Sequence, residues 1–270
     1  MKILIIGAGK MGLSIILAWR GSEINSIDLD IVEKNKIRRR ELKKIFSKEL
    51  VIENVPKKWK GDLLVFAIKP QSFNKVAKDI LKNQVTTKSV LSIMAGIKVN
   101  TISDKLKIKS TSNIVRVMPN IAAEIGLSAS SVYYSRNINI RTLNQIKGLI
   151  KVLGNIYIVK SEKMLDVVTA ITGSGPAYFF LFLLAFEKIA SEMGFSKKIS
   201  KLLVFDTVRG ALELAKDQGN IRNLIESVAS KGGTTSEALK ILEKKKSGLY
   251  KILKKAIVAA NKKAIQLSKN

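Results

Sequence analysis

An α/β architecture in two parts, a doubly wound sheet domain over residues 1–160 and an all-helical domain over residues 161–270, is predicted by three observations. The first is a buried-strand pattern that runs straight into a glycine turn: Lys2-Ile3-Leu4-Ile5-Ile6 is followed at once by Gly7-Ala8-Gly9-Lys10-Met11-Gly12. The second is a series of later apolar runs, each ending in small, polar or proline residues at its carboxyl end. The third is that strand patterns vanish after Glu162 and helix follows helix to the end.

The first domain builds in order from its amino end. G-x-G-x-x-G after a strand is followed by Leu13, Ile16 and Leu17 on one helical face through Arg20. A second strand over residues 27–32 then ends at Glu33, about twenty residues beyond Gly12. That succession marks a Rossmann-type dinucleotide-binding domain: Gly7 makes the turn, Gly9 admits a pyrophosphate, and Gly12 lets helix and strand pack closely. A carboxylate at Glu33 suits the ribose hydroxyls of NAD, whereas the neighbouring Lys34 suits the extra phosphate of NADP, so both forms stay open. Residues 37–46 read as a basic amphipathic helix. Residues 63–68 read as a strand ending in Lys69-Pro70-Gln71, residues 90–93 as one opening into Met94-Ala95-Gly96, and residues 114–118 as one ending at Pro119-Asn120. Those carboxyl ends are where open α/β sheets bind ligands. Residues 127–134, a helix near 142–153 and a strand over 156–159 complete the domain.

The second domain reads as helices over 163–171, 177–193, 199–216, 221–229, 235–245 and 249–267, with Thr172-Gly173-Ser174-Gly175-Pro176 between the first two. A helix as apolar as residues 178–186 has to be covered over most of its surface, and the little chain left in this domain favours cover by a second copy. Before the fifth helix stands Ser230-Lys231-Gly232-Gly233-Thr234-Thr235. Its glycines permit close approach, Thr234 with Glu237 matches a capping box, and unpaired amides at the helix start suit a carboxylate or phosphate. From these residues alone, an ordinary glycine turn before a surface helix reads equally well.

Composition narrows the chemistry. With 270 residues and 46% apolar content the chain has a substantial core. It holds no cysteine and no histidine, which removes thiol nucleophiles, disulfides, histidine bases and the usual zinc ligand sets, so no metal is expected. Chemistry therefore falls to hydroxyls, Lys, Arg, carboxylates, backbone or a cofactor. The net charge of +27 comes mostly from lysines spread along helices, and aromatics are only 6%, too few for a base-stacking platform. The charge reads as solvated faces that attract anionic substrates, including the run at residues 38–40, and no specific nucleic-acid partner is expected. The amino-terminal apolar run is broken by Gly7, Gly9, Lys10 and Gly12, unlike a signal peptide, and residues 177–186 are too short to cross a bilayer. A soluble cytoplasmic protein without a membrane partner is expected.

With these residues laid out, the chain resembles the pyrroline-5-carboxylate reductase family nearly end to end. The resemblance rests on Ile6-Gly7-Ala8-Gly9-Lys10-Met11-Gly12, Ala67-Ile68-Lys69-Pro70-Gln71, Met94-Ala95-Gly96-Ile97, Arg116-Val117-Met118-Pro119-Asn120, Thr172-Gly173-Ser174-Gly175-Pro176-Ala177-Tyr178 and Gly232-Gly233-Thr234-Thr235. It implies a nucleotide-binding amino-terminal domain, a helical carboxy-terminal dimerisation domain and, often, a higher assembly of dimers. It implies reduction of 1-pyrroline-5-carboxylate to L-proline, with NADPH or NADH as hydride donor to the C=N carbon. The cofactor would be held by Gly7, Ala8, Gly9, Lys10, Met11 and Gly12, by Asn54, by Ala67, Ile68, Lys69 and Pro70, and by Ala95 and Gly96, with Glu33 and Lys34 at the ribose. The substrate carboxylate would be held by Ser230, Gly232, Gly233, Thr234 and Thr235, with the Thr235 hydroxyl close to the substrate nitrogen. Two positions depart from the family: Lys231 stands where proline is usual, and Asn220-Ile221 where a His-Pro pair is usual. Another imine reductase, a β-hydroxyacid dehydrogenase, a dinucleotide-sensing regulator and a basic nucleic-acid-binding protein remain the other readings.

Overall fold

A computed structural model describes residues 1–22, 27–46, 50–108 and 113–267. Its contacts divide the chain into two units, Met1–Ser174 together with the chain from Ala260 onward, and Gly175–Ala259.

The first unit is organised around one sheet of eight strands among the described residues: β1 (Lys2–Ile6), β2 (Asp28–Val32), β3 (Leu50–Ile52), β4 (Lys60–Phe66), β5 (Thr86–Ser92), β6 (Asn113–Met118), β7 (Ser128–Tyr134) and β8 (Gly154–Ile158). The spatial order is β3-β2-β1-β4-β5-β6-β7-β8. Every neighbouring pair is parallel except β6 with β7. The first six strands follow the 3-2-1-4-5-6 order of dinucleotide-binding folds, whose order reverses between β1 and β4. Five helices complete the wrapping: α1 (Lys10–Arg20), α2 (Lys36–Ile45), α3 (Phe73–Lys82), α4 (Val99–Leu106) and α5 (Ile140–Lys151).

The composition of β1 follows from this layering. Ile3 and Ile5 enter a core with Ile15, Trp19 and Ile146, while Leu4 and Ile6 enter another with Phe66, Phe73 and Ile102. Successive side chains point to opposite faces, and here both faces are covered, so the run is apolar throughout instead of alternating. Each such side chain contributes roughly 1.5–3 kcal/mol relative to exposure.

Three elements go beyond the sequence reading. β3 is only three residues long, and α3 and α4 lie outside the helices expected from the sequence. α3 does carry the periodicity: Phe73, Val76, Ala77 and Ile80 are all buried. β4 also ends at Phe66, two residues earlier than expected, which leaves Ala67, Ile68 and Lys69 as loop backbone at the strand's carboxyl end.

Beyond β8, α6 (Met164–Val168) passes into a π-helical turn over Thr169–Gly173. The second unit contains α7 (Gly175–Glu192), α8 (Lys197–Gln218), α9 (Ile221–Val228) and α10 (Thr234–Leu242); a last helix, α11, spans Leu249–Leu267. α7 packs along α8, yet its apolar side chains stay open: Phe179 is 70% exposed, Leu181 67% and Leu184 62%. Because the π turn joins α6 to α7, the helical run Met164–Glu192 reaches 29 residues and contains an apolar stretch of 18 residues with mean hydropathy 1.7. By length and composition alone that run is long and apolar enough to cross a membrane, a test that core helices of water-soluble proteins also pass.

Candidate active site

The carboxyl ends of β1, β2 and β4 open into a cleft of about 540 Å³ at the reversal of strand order. Of the residues expected to meet a cofactor, Gly7, Gly9, Glu33, Lys34, Ala67, Ile68 and Lys69 line it. Ala8 and the first turn of α1, with Lys10, Met11 and Gly12, lie next in sequence to that lining. Pro70 opens the short 3₁₀ turn that leads into α3. Asn54 is exposed just beyond β3 and is absent from the lining, to which its neighbour Val55 contributes instead. Ala95 and Gly96 follow β5 and also lie outside that lining.

The three glycines of the turn serve different ends. Gly7 has φ +96°, and a Cβ there would come within 2.5 Å of the Ala67 carbonyl oxygen. A Cβ on Gly12 would be driven into the Gly7 carbonyl oxygen. Gly9 is extended (φ −61°, ψ −172°), and an added Cβ would meet only Arg38 Nη1, at 3.8 Å. Packing therefore demands glycine at positions 7 and 12, while position 9, which lines the cleft, is left uncrowded, as close approach of a ligand to the backbone requires. Gly9 is also the N-cap of α1 and supplies no side-chain acceptor, so the amides of the helix's first turn have no side-chain cap and favour an anion.

Glu33 is tied into this turn. Its Oε2 accepts the Ala8 N–H at 2.9 Å and its Oε1 accepts the Asn35 N–H at 2.8 Å. Arg38 Nη1 donates to the Ala8 carbonyl at 3.1 Å. Arg39 donates to the carbonyls of Glu33 and Lys34 at 2.9 and 2.6 Å and pairs with Glu53 at 2.7 Å. Two members of the basic run at 38–40 thus fasten the turn and the loop after β2, which corrects their reading as a solvated face. Their place one helical turn beyond the acidic end of β2 was the signal that could have found them. With Lys34, Lys69 and Lys75 on the lining, the cleft offers open glycine backbone, uncapped helix amides and several cations. Those features fit a dinucleotide carrying a pyrophosphate. Among the described residues, no group of three or more Asp or Glu side chains is placed to hold a metal ion.

Two further motif segments meet in the same unit, where Asn120 Nδ2 donates to the Thr172 carbonyl at 3.1 Å. That carbonyl belongs to the π-helical turn, a distortion of helix that recurs at functional sites.

The second cluster lies in the helical unit, between α9 and α10. Gly232 has φ +75°, and the Gly233 N–H donates to the Ser230 carbonyl at 3.0 Å, closing the turn. A Cβ on Gly233 would strike the Ser230 hydroxyl oxygen. The capping box expected from Thr234 and Glu237 does not form: Gly233 is the N-cap of α10 with no side-chain acceptor, and Glu237 instead accepts from Lys240 Nζ at 2.5 Å. The turn takes the N-cap position one residue early and carries Thr234 into the first helical turn. Its consequence is an uncapped helix start beside the hydroxyls of Ser230, Thr234 and Thr235, with Thr235 half-buried. At Asn220, one of the two positions of departure, the side chain caps α9 by accepting the Asn223 N–H at 3.2 Å. Lys231 is an exposed turn residue, and nothing in the structure explains it.

Comparison with known proteins bears on both clusters. Residues 162–267 match the family model described as pyrroline-5-carboxylate reductase dimerisation, and residues 2–96 the model described as NADP oxidoreductase, coenzyme F420-dependent. The helical half is therefore a dimerisation region. The pyrroline-5-carboxylate reductase of Vibrio alginolyticus is 32% identical over 270 residues, covering 99% of this chain and 98% of that one. The structure of the Coxiella burnetii enzyme of that name aligns with TM-score 0.84 at 27% identity, over 99% of this chain and 98% of that one. The Plasmodium falciparum pyrroline carboxylate reductase, solved with NADP bound, aligns with TM-score 0.84 at 25% identity and the same coverage. A glycine turn open to a dinucleotide, a dimerising helical half, and a likeness that runs from one end of the chain to the other converge: this chain belongs to the pyrroline-5-carboxylate reductase family.

Proposed function

We propose that the protein reduces 1-pyrroline-5-carboxylate to L-proline with NADPH or NADH, as a homodimer or a dimer-based higher oligomer in the cytoplasm. No metal, specific nucleic acid or membrane takes part. The observation that carries this reading is Gly9, a position that packing leaves open and that lines a cationic cleft at the β1–β4 reversal. Residues 1–160 form the dinucleotide-binding domain and residues 161–270 the domain for substrate and dimerisation.

Gly7, Ala8, Gly9, Lys10, Met11 and Gly12 cradle the pyrophosphate, Glu33 and Lys34 meet the adenosine ribose, and Asn54, Ala67, Ile68, Lys69, Pro70, Ala95 and Gly96 complete the cofactor's contacts. The bound dinucleotide supplies a hydride to the C=N carbon. The chain supplies position and field. Ser230, Gly232, Gly233, Thr234 and Thr235 hold the substrate carboxylate through hydroxyls and the uncapped amides of α10. Thr235 donates a hydrogen bond to the ring nitrogen. An imine nitrogen is far more basic than a carbonyl oxygen, so a hydroxyl and water suffice where a ketone would need a stronger acid. That basicity accounts for a reductase built without histidine.

The test is direct. Purified protein with 1-pyrroline-5-carboxylate should oxidise NADPH or NADH, followed by the loss of nicotinamide absorbance; if neither is oxidised, the reading fails. Thr235→Ala should lower kcat by about tenfold to a hundredfold and leave the Kd of the reduced cofactor unchanged, since one hydrogen bond near the reacting atoms is removed. Unchanged turnover would remove Thr235 from the mechanism.

A further inference from the structure

The loop between β5 and α4 is held at both ends by a single ion pair. Arg116, on β6, has a side chain only 3% exposed, and its Nη1 lies 2.9 Å from Glu162 Oε1. Its Nη2 donates to the Met94 carbonyl at 3.2 Å, at the start of the loop. The same Glu162 Oε1 accepts the N–H of Val99, the first residue of α4, at 2.7 Å. Lys98, the N-cap of α4, offers no side-chain acceptor, so a carboxylate 63 residues further along the chain stands in for the missing cap. Between these anchors run Ala95, Gly96, Ile97 and Lys98, with Gly96 at φ +77° and Ile97 packed into the core with Phe66 and Ile102.

The pair is not arranged for stability alone. Arg116 Nε is buried without a hydrogen-bond partner, a cost that a well-packed apolar pair of similar volume would avoid. What the arrangement does provide is one fixed path for the loop backbone. That loop follows β5, which pairs with β4 in the register Phe66 to Ser92, and the Ile93 N–H donates to the Phe66 carbonyl at 3.1 Å. The residues after Ser92 therefore emerge beside Ala67, a wall of the cofactor cleft. In a dinucleotide-binding sheet the adenosine half lies over β1 and β2, and the other half lies across the reversal, over β4 and β5.

We propose that Arg116 and Glu162 are positioning residues that set the height of the Ala95–Gly96 backbone under the nicotinamide half of the dinucleotide. The inference rests on the reductase reading for its effect on turnover, but not for its effect on binding. Glu162 is also the first residue matched by the dimerisation model, so the pair fastens the beginning of that region to the cofactor loop.

Arg116→Met alone would leave Glu162 unpaired, so the test uses Arg116→Met/Glu162→Gln together with the isosteric Glu162→Gln, which keeps an acceptor for the Val99 N–H. Binding is measured by fluorescence titration with NADPH and NADH, and by calorimetry with ADP-ribose and its 2′-phosphate, which lack the nicotinamide. The expected result is a Kd for the reduced dinucleotide raised roughly tenfold, a Kd for the fragments unchanged, and kcat lowered about a hundredfold with little change in substrate KM, as a misplacement of about 1 Å produces. Equal weakening of dinucleotide and fragment, or no change in either, would overturn the proposal, since a purely structural pair moves both or neither. If the unsubstituted protein binds the dinucleotide but does not turn over 1-pyrroline-5-carboxylate, the reductase reading falls, and the comparison of dinucleotide with fragment still decides the role of the pair.

Discussion

Gly9 and Gly12 are the same residue three positions apart, yet different forces keep them glycine. A methyl on Gly12 collides with the Gly7 carbonyl, and one on Gly9 meets only the end of Arg38. Gly12→Ala should therefore destabilise the fold by about 1–3 kcal/mol, the usual cost of overpacking. Gly9→Ala exchanges one N-cap residue for a poorer one and should cost about 1 kcal/mol at most. Its larger effect should be on the ligand, with the Kd of NADPH raised at least about tenfold, because the methyl stands where the pyrophosphate approaches. Chemical denaturation and NADPH titration separate the two, and a Gly9→Ala variant that binds NADPH as tightly as the unsubstituted protein would show that the turn is not the phosphate site. Arg38 shows the limit of reading residues one at a time. In a chain of 48 basic residues nothing marks it out until α2 folds back and brings its guanidinium to the Ala8 carbonyl.

At the scale of elements, the amino ends of β1, β4 and β5 are joined by Asp62, which accepts the Lys2 N–H at 2.8 Å and pairs with Lys88 Nζ at 2.7 Å. These bonds, the Lys88 one foremost, hold the Asp62 carboxyl below its ordinary value of 3.8. A carboxyl whose pKa is lowered by folding adds stability that is fully present above the unfolded value and fades as pH falls through the folded one. Asp62→Asn should thus be less stable than the unsubstituted protein above about pH 4, by no more than about 1 kcal/mol for so exposed a pair. The gap should close on further acidification. Urea unfolding midpoints at several pH values measure it, and a gap that widens toward acid would contradict the assignment. The elements that sequence made legible are those with complete local punctuation: β1, the glycine turn, α1 and β2 carry period, turn and acidic end within thirty-odd residues. α4 was not legible because its cap comes from Glu162, a tertiary partner. At α10 the local signal misled, since a capping-box pattern was present but the Gly232–Gly233 turn took the N-cap position first. β3, at three residues, is too short for any periodicity to register.

For the molecule as a whole, the apolar surface of α7 and the charge of +27 act against each other. Phe179, Phe180, Leu181 and Leu184 are each at least 60% exposed, far more contiguous apolar surface than scattered single residues account for. Burying them against a second copy removes that surface from water at roughly 25 cal/mol per Å². Joining two copies of so cationic a chain brings like charges together, and the repulsion is screened within about 8 Å at physiological ionic strength. The dimer should accordingly tighten as salt rises, whereas an interface held by ion pairs would loosen. Leu181→Glu places a carboxylate in the middle of the apolar face, and burying it unpaired costs several kcal/mol. Sedimentation at micromolar protein should therefore find the unsubstituted chain dimeric or larger, with the dimer favoured at 0.5 M over 0.05 M salt, and the Leu181→Glu variant monomeric at both. A variant that stays dimeric would move the interface away from α7, and a dimer that dissociates as salt rises would mean that charge pairs, not the apolar face, hold it together.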